Sequence, residues 1–275
     1  MNKENDVKKY ELTDDVMVYR DHILHRIRAL KDFGDVKAGD LGGWVESEAN
    51  LSQAHVSDCD CSGCWIYDKA IVYGDAKVSE NATIHDCAKV YDSAEVYGNV
   101  CVCDDAKVCD SAEVYGNARI GGHASIHDHA KIDGNACVYD NARVGGYALV
   151  YEHAKIGDYS QVHGNVIISG NAEIYGHSLI GGKAHISAEA YTLSSADYLC
   201  FDGFGPDHES ITFFKCNEGT ILTVCNGFDG HFILEDFCRK IEKEYKGGLY
   251  QKEYRAAVDV AKIHFGITNN KKNNL

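Results

Sequence analysis

The residues best suited to chemistry are histidines and an arginine whose places follow a spacing of eighteen. His127 and His163 lie two such spacings apart, and Gly145 falls midway between them, with Arg143 two positions earlier. A glycine between two imidazoles would leave a notch, and a guanidinium offers an anion a planar fork of donors. Tyr91, further along the same column, could stack on a base or ring. We therefore predict a site for a phosphate or carboxylate at these residues together with Ser125 and Gln161.

Histidine and cysteine are also metal ligands, and the chain contains twelve cysteines. Within one chain, His127 and His163 would lie about 9.6 Å apart along a stack of strands. That is too far to share a zinc ion, whose nitrogen ligands lie near 2 Å. Cys59, Cys61 and Cys64 could hold a metal with a fourth ligand, but no second pair follows them. We predict reduced structural thiols, including the outward Cys101, Cys103, Cys109 and Cys137, with no metal and no cofactor.

The elements that must position these residues follow from a repeat of six. Ile or Val occupies every sixth position from Ile66 to Ile186, which makes twenty-one consecutive matches without an insertion. A small residue, mostly Ala, precedes each by two places. The Ala-x-Val alternation is typical of a short strand, and the Gly, Asp or Asn that follows turns the chain cheaply. Three strands and three corners make an eighteen-residue coil, so the pattern predicts a parallel β-helix of about seven coils.

The flanks of the repeat differ from it and predict capping structures. Residues 1–63 contain strand-like alternation and degenerate hexads at Ala49-Asn50-Leu51 and Ala54-His55-Val56, which would cover an open apolar end. Residues 64–196 are assigned to the β-helix. In residues 197–267 a hairpin signal around Asn217-Glu218-Gly219 precedes two amphipathic helices, so we predict a small α+β module. Residues 268–275 are expected to be a disordered tail.

The hexads resemble those of the hexapeptide-repeat superfamily, whose acyltransferase members carry [LIV]-G-x-x-[STAV]-x. Only the handedness rests on this resemblance, which implies a left-handed helix. The predicted fold is therefore mainly β, a left-handed parallel β-helix of about seven coils with an N-terminal β cap and a small C-terminal α+β module. The resemblance also implies homotrimers formed by packing prisms side by side. An outward apolar stripe would suit that interface, and it comprises Tyr97, Tyr115, Leu149, Tyr151 and Ile167.

The whole layout resembles a group of largely uncharacterised hexapeptide-repeat proteins of bacteriophages and prophages. This resemblance rests on HRIRALKDFGDVKAGDLGGWVESEANLS, the alanine-rich hexads and the ITFFK…KEYRAAVDVAKIHF end. Together with the notch predicted at Gly145, it leads to the hypothesis of a non-enzymatic binding protein that sequesters a small anionic, nucleotide-like ligand or a host protein against host defence. Two alternatives stay open. One is an acyl-CoA-dependent acyltransferase, whose acceptor site must come from a flank because no loop interrupts the hexads. The other is a scaffold that docks a partner through its C-terminal module.

Charge and hydropathy restrict the partners. A net charge of −15 argues against nucleic acid, because binding its backbone relies on Lys and Arg. The first ten residues are charged and lack the apolar run of a signal peptide, and no apolar stretch approaches eighteen residues. We therefore expect no membrane partner and a cytoplasmic location, which would be the host cytoplasm for a phage-encoded protein.

Overall fold

The hexads form a parallel β-helix of triangular section. The computed structural model describes residues 8–53 and 63–267. Each hexad contributes one two-residue strand, and each strand pairs in parallel with the strand eighteen residues away, as Val102 does with Ile120. The predicted parallel β-helix of about seven coils is confirmed.

Three sheets form the faces of the prism. Face A contains, in pairing order, β1 (Tyr10–Tyr19), β2 (His22–Ala29), β3 (Leu41–Val45), β5 (Ile71–Val72), β8 (Lys89–Val90), β11 (Lys107–Val108), β14 (Ser125–Ile126), β17 (Arg143–Val144), β20 (Gln161–Val162) and β23 (Leu179–Ile180). Face B contains β4 (Trp65–Ile66), β7 (Thr83–Ile84), β10 (Cys101–Val102), β13 (Arg119–Ile120), β16 (Cys137–Val138), β19 (Lys155–Ile156), β22 (Glu173–Ile174) and β25 (Tyr191–Thr192). Face C contains β6 (Lys77–Val78), β9 (Glu95–Val96), β12 (Glu113–Val114), β15 (Lys131–Ile132), β18 (Leu149–Val150), β21 (Ile167–Ile168) and β24 (His185–Ile186).

The axis of the prism is filled by the repeated Val and Ile side chains. Val138 and Ile156, on neighbouring strands of face B, are both fully buried, as are the alanines that precede the strands. Burying each such branched side chain stabilises the fold by about 1.5–3 kcal/mol. Because a strand of only two residues has little stability of its own, this column of apolar contacts is what holds the coils together.

The corners are held by a ladder of carboxylates. Asp128 adopts a left-handed backbone with φ 57°, and its Oδ2 accepts the N–H of Gly146, one coil further on, at 2.8 Å. The N–H of Asp128 in turn donates to Oδ2 of Asp110 at 3.0 Å. Equivalent bonds recur along the other corners. Aspartate suits these corners because it tolerates positive φ and its carboxylate satisfies the next coil's amide.

The N-terminal residues cap the first coil. Strand β3 pairs in parallel with β5, and the β1–β2 hairpin extends the same sheet. Leu51 forms a parallel bridge with Val78, which confirms the first degenerate hexad. The second, at residues 54–56, and the thiols of Cys59 and Cys61 lie outside the described residues.

A buried amine closes this end of the core. Lys9 is fully buried, and its Nζ donates to the carbonyl oxygen of Cys64 at 2.9 Å and lies 3.2 Å from the Cys64 Sγ. Burial lowers the pKa of Lys9.

The C-terminal module caps the last coil. A four-stranded antiparallel sheet contains β26 (Tyr198–Phe204), β27 (Glu209–Lys215), β28 (Ile221–Cys225) and β29 (His231–Ile233), and it is followed by α1 (Leu234–Glu244) and α2 (Leu249–His264). Phe214 and Val224 pack into the axial core of the prism, whereas Phe237 and Tyr254 belong to the module's own core. The predicted hairpin and two helices are therefore confirmed. In the described parts of the chain, neither helix has the length and apolarity needed to cross a membrane.

Candidate active site

The predicted anion site is assembled in the expected register but is not open. Strands β14, β17 and β20 are consecutive on face A, so His127, Gly145 and His163 lie on three successive coils. The notch predicted at Gly145 is wrong. A Cβ added there would lie 2.1 Å from Cε1 of His127, because the imidazole of His127 lies over the glycine. The His163 ring covers Gly181 in the same way.

The charge around His127 also differs from that of an anion site. Its Nδ1 lies 3.0 Å from Oδ2 of Asp128. A carboxylate oxygen of Asp110 lies within 4.8 Å of both His127 and Asp128. These groups would repel an anion, and their Oδ2 atoms already accept backbone amides of the corner ladder. Arg143 is exposed, and its guanidinium has no hydrogen bond or ion pair within residues 8–53 and 63–267. The binding role of Ser125, Arg143 and Gln161 stays a prediction.

Tyr91 lies in an aromatic stack beneath the N-terminal hairpin. Its ring is parallel to that of Tyr73, with centroids 5.2 Å apart, and the guanidinium of Arg20 lies 6.0 Å from its centroid. Tyr73 is buried because Tyr19 and His22 pack against it. One face of the Tyr91 ring is thus occupied by protein rather than left for a ligand.

Two of the outward cysteines, Cys103 and Cys109, have thiols of raised pKa. Burial raises the pKa of the Cys109 thiol to about 11 and that of Cys103 to about 12. Both thiols therefore stay protonated near neutral pH, and the thiolate is the nucleophilic form. All ten cysteines that the structure describes are free thiols.

The predicted interface stripe separates into two parts. Tyr97 and Tyr115 stack on each other with centroids 5.2 Å apart, and Leu149 is 38% exposed. Tyr151 and Ile167 instead line a cleft beneath the chain's own C-terminal module. The assembly prediction is therefore left with Tyr97, Tyr115 and Leu149 as its outward part.

This cleft is the strongest candidate for a functional site. It has a volume of ≈ 530 Å³ and lies between the last coils of face C and the β28–β29 connection. One wall contains His185, on β24, and Ser187, at the corner after it. The other wall contains Val224, Phe228 and His231. A cleft of this size is typical of small-molecule sites.

A serine and two histidines meet in the cleft. The Ser187 hydroxyl and Nε2 of His231 form a short hydrogen bond that joins the β-helix to the module. Ser187 is only 2% exposed, whereas His231 is exposed to the cleft. Burial, and secondarily the neighbouring His231, lowers the pKa of His185, so its imidazole is neutral at pH 7. The set therefore offers an accessible imidazole that is held in place by a buried hydroxyl.

The sequence pattern gave only a general indication of this site. His185 occupies an ordinary outward position of a hexad, and His231 lies forty-six residues later in a strand of three. Their meeting depends on β27 crossing the end of the prism, where the Thr212 hydroxyl accepts the N–H of His185 at 2.9 Å. The expectation that any acceptor site would need a flanking segment stays a prediction.

Comparison with known proteins gives a partial likeness. No family model matches the chain. The chain is 34% identical over 87 residues to a protein named uncharacterized acetyltransferase YdcK, from Escherichia coli strain K12. The match covers 28% of this chain and only 24% of the relative. The β-solenoid and this match together fit the hexapeptide-repeat superfamily.

Proposed function

We propose that the protein transfers an acyl group from a thioester donor to a small acceptor in the cleft between face C and the C-terminal module. The observation that carries this proposal is the exposed imidazole of His231, held by buried Ser187 at the wall of a ≈ 530 Å³ cleft. A general base must be within hydrogen-bond reach of its substrate and positioned by a neighbour. The likeness to a protein named an acetyltransferase supports the same reaction class.

The reaction needs one base and one positioned acceptor. The acceptor's nitrogen or oxygen attacks the thioester carbonyl carbon, a C–N or C–O bond forms, and the C–S bond breaks. The acceptor's proton passes to the imidazole of His231, which then gives it to the departing thiolate, so that a free thiol leaves. Ser187 is too buried to attack the donor itself, so we assign it a positioning role.

Thiol release from acetyl-CoA, measured with a chromogenic disulfide over a panel of amine and alcohol acceptors, tests this proposal. His231→Ala should lower kcat by about 10²–10⁴, which is the usual contribution of a general base. Ser187→Ala should cost less and change the pH profile, since it loosens the imidazole without removing it. His123→Ala is the matched control, because that side chain is 68% exposed on another corner. Equal rates in the wild type and His231→Ala would refute the assignment.

A second proposal keeps the binding function suggested by the resemblance to phage proteins. The observation in its favour is the exposed Arg143, which has no acidic partner in the described chain although the protein carries a net charge of −15. In this proposal the protein sequesters a small anionic ligand, or a host protein, through face A. Native mass spectrometry followed by denaturation would identify a released ligand. Unchanged ligand retention in Arg143→Ala would contradict the proposal.

We also propose a homotrimer that packs through the exposed part of face C. Tyr97 and Tyr115 stack on each other, and Leu149, which lies beyond Lys131 on the same face, is 38% exposed. Exposed apolar side chains of this kind are typical of interfaces. Light scattering on the purified protein should give a mass of three chains, and the Leu149→Glu variant should give the mass of one chain. A monomeric wild-type protein would exclude this assembly.

A further inference from the structure

We infer that the acceptor in the cleft is a cationic amine that carries no phosphate or carboxylate group of its own. The inference rests on the proposed acyl transfer and specifies its substrate class. Among the residues that the structure describes, the cleft lining contains two carboxylates, Glu152 and Asp229, and no Lys or Arg. The imidazoles of His185 and His231 are the ionisable nitrogen groups of this described lining. His185 is neutral at pH 7 because burial lowers its pKa.

Glu152 is held in place by the corner ladder. It adopts a left-handed backbone with φ 61°, and its Oε2 accepts the N–H of Gly170 at 2.5 Å. This bond occupies Oε2 and orients the Glu152 side chain. Its Oε1 has no hydrogen bond or ion pair within the described residues, so it stays available to a ligand in the cleft.

Asp229 comes from the opposite wall, two residues before His231. Its side chain is exposed, and in the described chain its carboxylate has no hydrogen bond or ion pair. The wall around it is apolar, because Val224 and Phe228 line the same cleft. An unpaired carboxylate beside an apolar wall and next to the proposed base suits an ammonium group on a short carbon chain.

The charge pattern also constrains the donor. Two carboxylates in a cleft without Lys or Arg repel phosphates, so only the thioester end of the donor can enter. The ammonium is held at the carboxylates and must lose one proton to solvent to become a nucleophile. The neutral amine then attacks the thioester carbonyl carbon, passes a second proton to His231, and the C–S bond breaks. The departing thiolate takes this proton from His231. The products are an amide and a free thiol.

A matched set of four-carbon acceptors tests this inference with acetyl-CoA as donor. These are 1,4-diaminobutane, 4-amino-1-butanol, 4-aminobutanoate and 1,4-butanediol. We expect kcat/KM to fall in that order. Asp229→Asn and Glu152→Gln should each raise KM for the diamine about threefold to fivefold with little change in kcat, as expected for exposed charge pairs. Asp207→Asn, an exposed aspartate of the same module outside the cleft, is the matched control.

Calorimetric binding of 1,4-diaminobutane without a donor separates the inference from the proposed reaction. Binding that weakens in Asp229→Asn, in a protein that releases no thiol, would refute the acyl transfer but support cation recognition. Turnover in which 4-aminobutanoate or the diol equals the diamine would overturn the cationic acceptor. Binding of the diamine that is the same in the wild type, Asp229→Asn and Glu152→Gln would overturn it as well.

Discussion

The carboxylate ladder at the corners can be tested at Asp128, where two energetic contributions can be separated by three substitutions. Asp128→Asn keeps an oxygen acceptor and a residue that tolerates positive φ. Asp128→Gly removes the acceptor but accepts φ 57° without strain. Asp128→Ala removes the acceptor and must also adopt the left-handed backbone.

The expected magnitudes follow from the geometry. A hydrogen bond to a charged group contributes about 1.5–3 kcal/mol. The Asp128 side chain is 52% exposed, so we expect only about 1 kcal/mol for the loss of its bond to Gly146. A left-handed non-glycine residue costs about 1–2 kcal/mol more. The free energy of unfolding should therefore fall by about 0.5 kcal/mol for Asn, about 1 for Gly and about 2 for Ala.

Urea denaturation followed by circular dichroism measures these differences, and amide hydrogen exchange at Gly146 locates them. The bond to Gly146 is the main cause of the lowered pKa of Asp128. Its stabilising contribution is therefore complete above the ordinary pKa near 3.8 and is lost as pH falls through the folded pKa. The difference between Asp128→Asn and wild type should close in strong acid.

Asp75→Asn provides the control for this series. Asp75 is exposed at a corner, and within the described chain it has neither a left-handed backbone nor a hydrogen bond. If Asp75→Asn lost as much stability as Asp128→Gly, general surface charge would explain the effect. Equal losses in Asp128→Gly and Asp128→Ala would show that backbone strain plays no part.

Three further predictions concern the axis, a corner and the cleft. Ile156→Ala should lower the free energy of unfolding by about 2–5 kcal/mol in urea titrations, because the Ile156 side chain is fully buried. A loss under about 1 kcal/mol would contradict close packing along the axis of the prism. Gly134→Ala should lower the free energy of unfolding by more than about 1 kcal/mol in the same assay. The reason is that Gly134 has a φ of +66° and that the new Cβ would lie 2.7 Å from the Glu152 amide nitrogen. An unchanged urea midpoint would contradict this prediction. The pKa of His185, measured by NMR, should lie below 6.5 because burial lowers it. The contribution of His185 to the free energy of unfolding should therefore fall as pH drops from 6.5 through the pKa of the folded protein. A raised pKa would show that the imidazole is not desolvated.

The sequence determined the β-helix almost completely. The unbroken placement of Ile and Val from Ile66 to Ile186 fixes which side chains enter the axis, because a period of two within each hexad allows only one inward face. It also placed His127, Gly145 and His163 in one column. The module's hairpin and helices followed from local turn and amphipathic signals, which depend on neighbouring residues alone.

Side-chain directions and long-range contacts were decided only by the tertiary structure. The spacing that aligned His127 with Gly145 could not show that the imidazole turns onto the glycine and closes the notch. The pairing of Ser187 with His231 has no trace in the repeat, since it depends on how the module sits against the last coil. A periodic sequence specifies the stack because each coil meets only its neighbours, whereas the cleft forms where that periodicity ends.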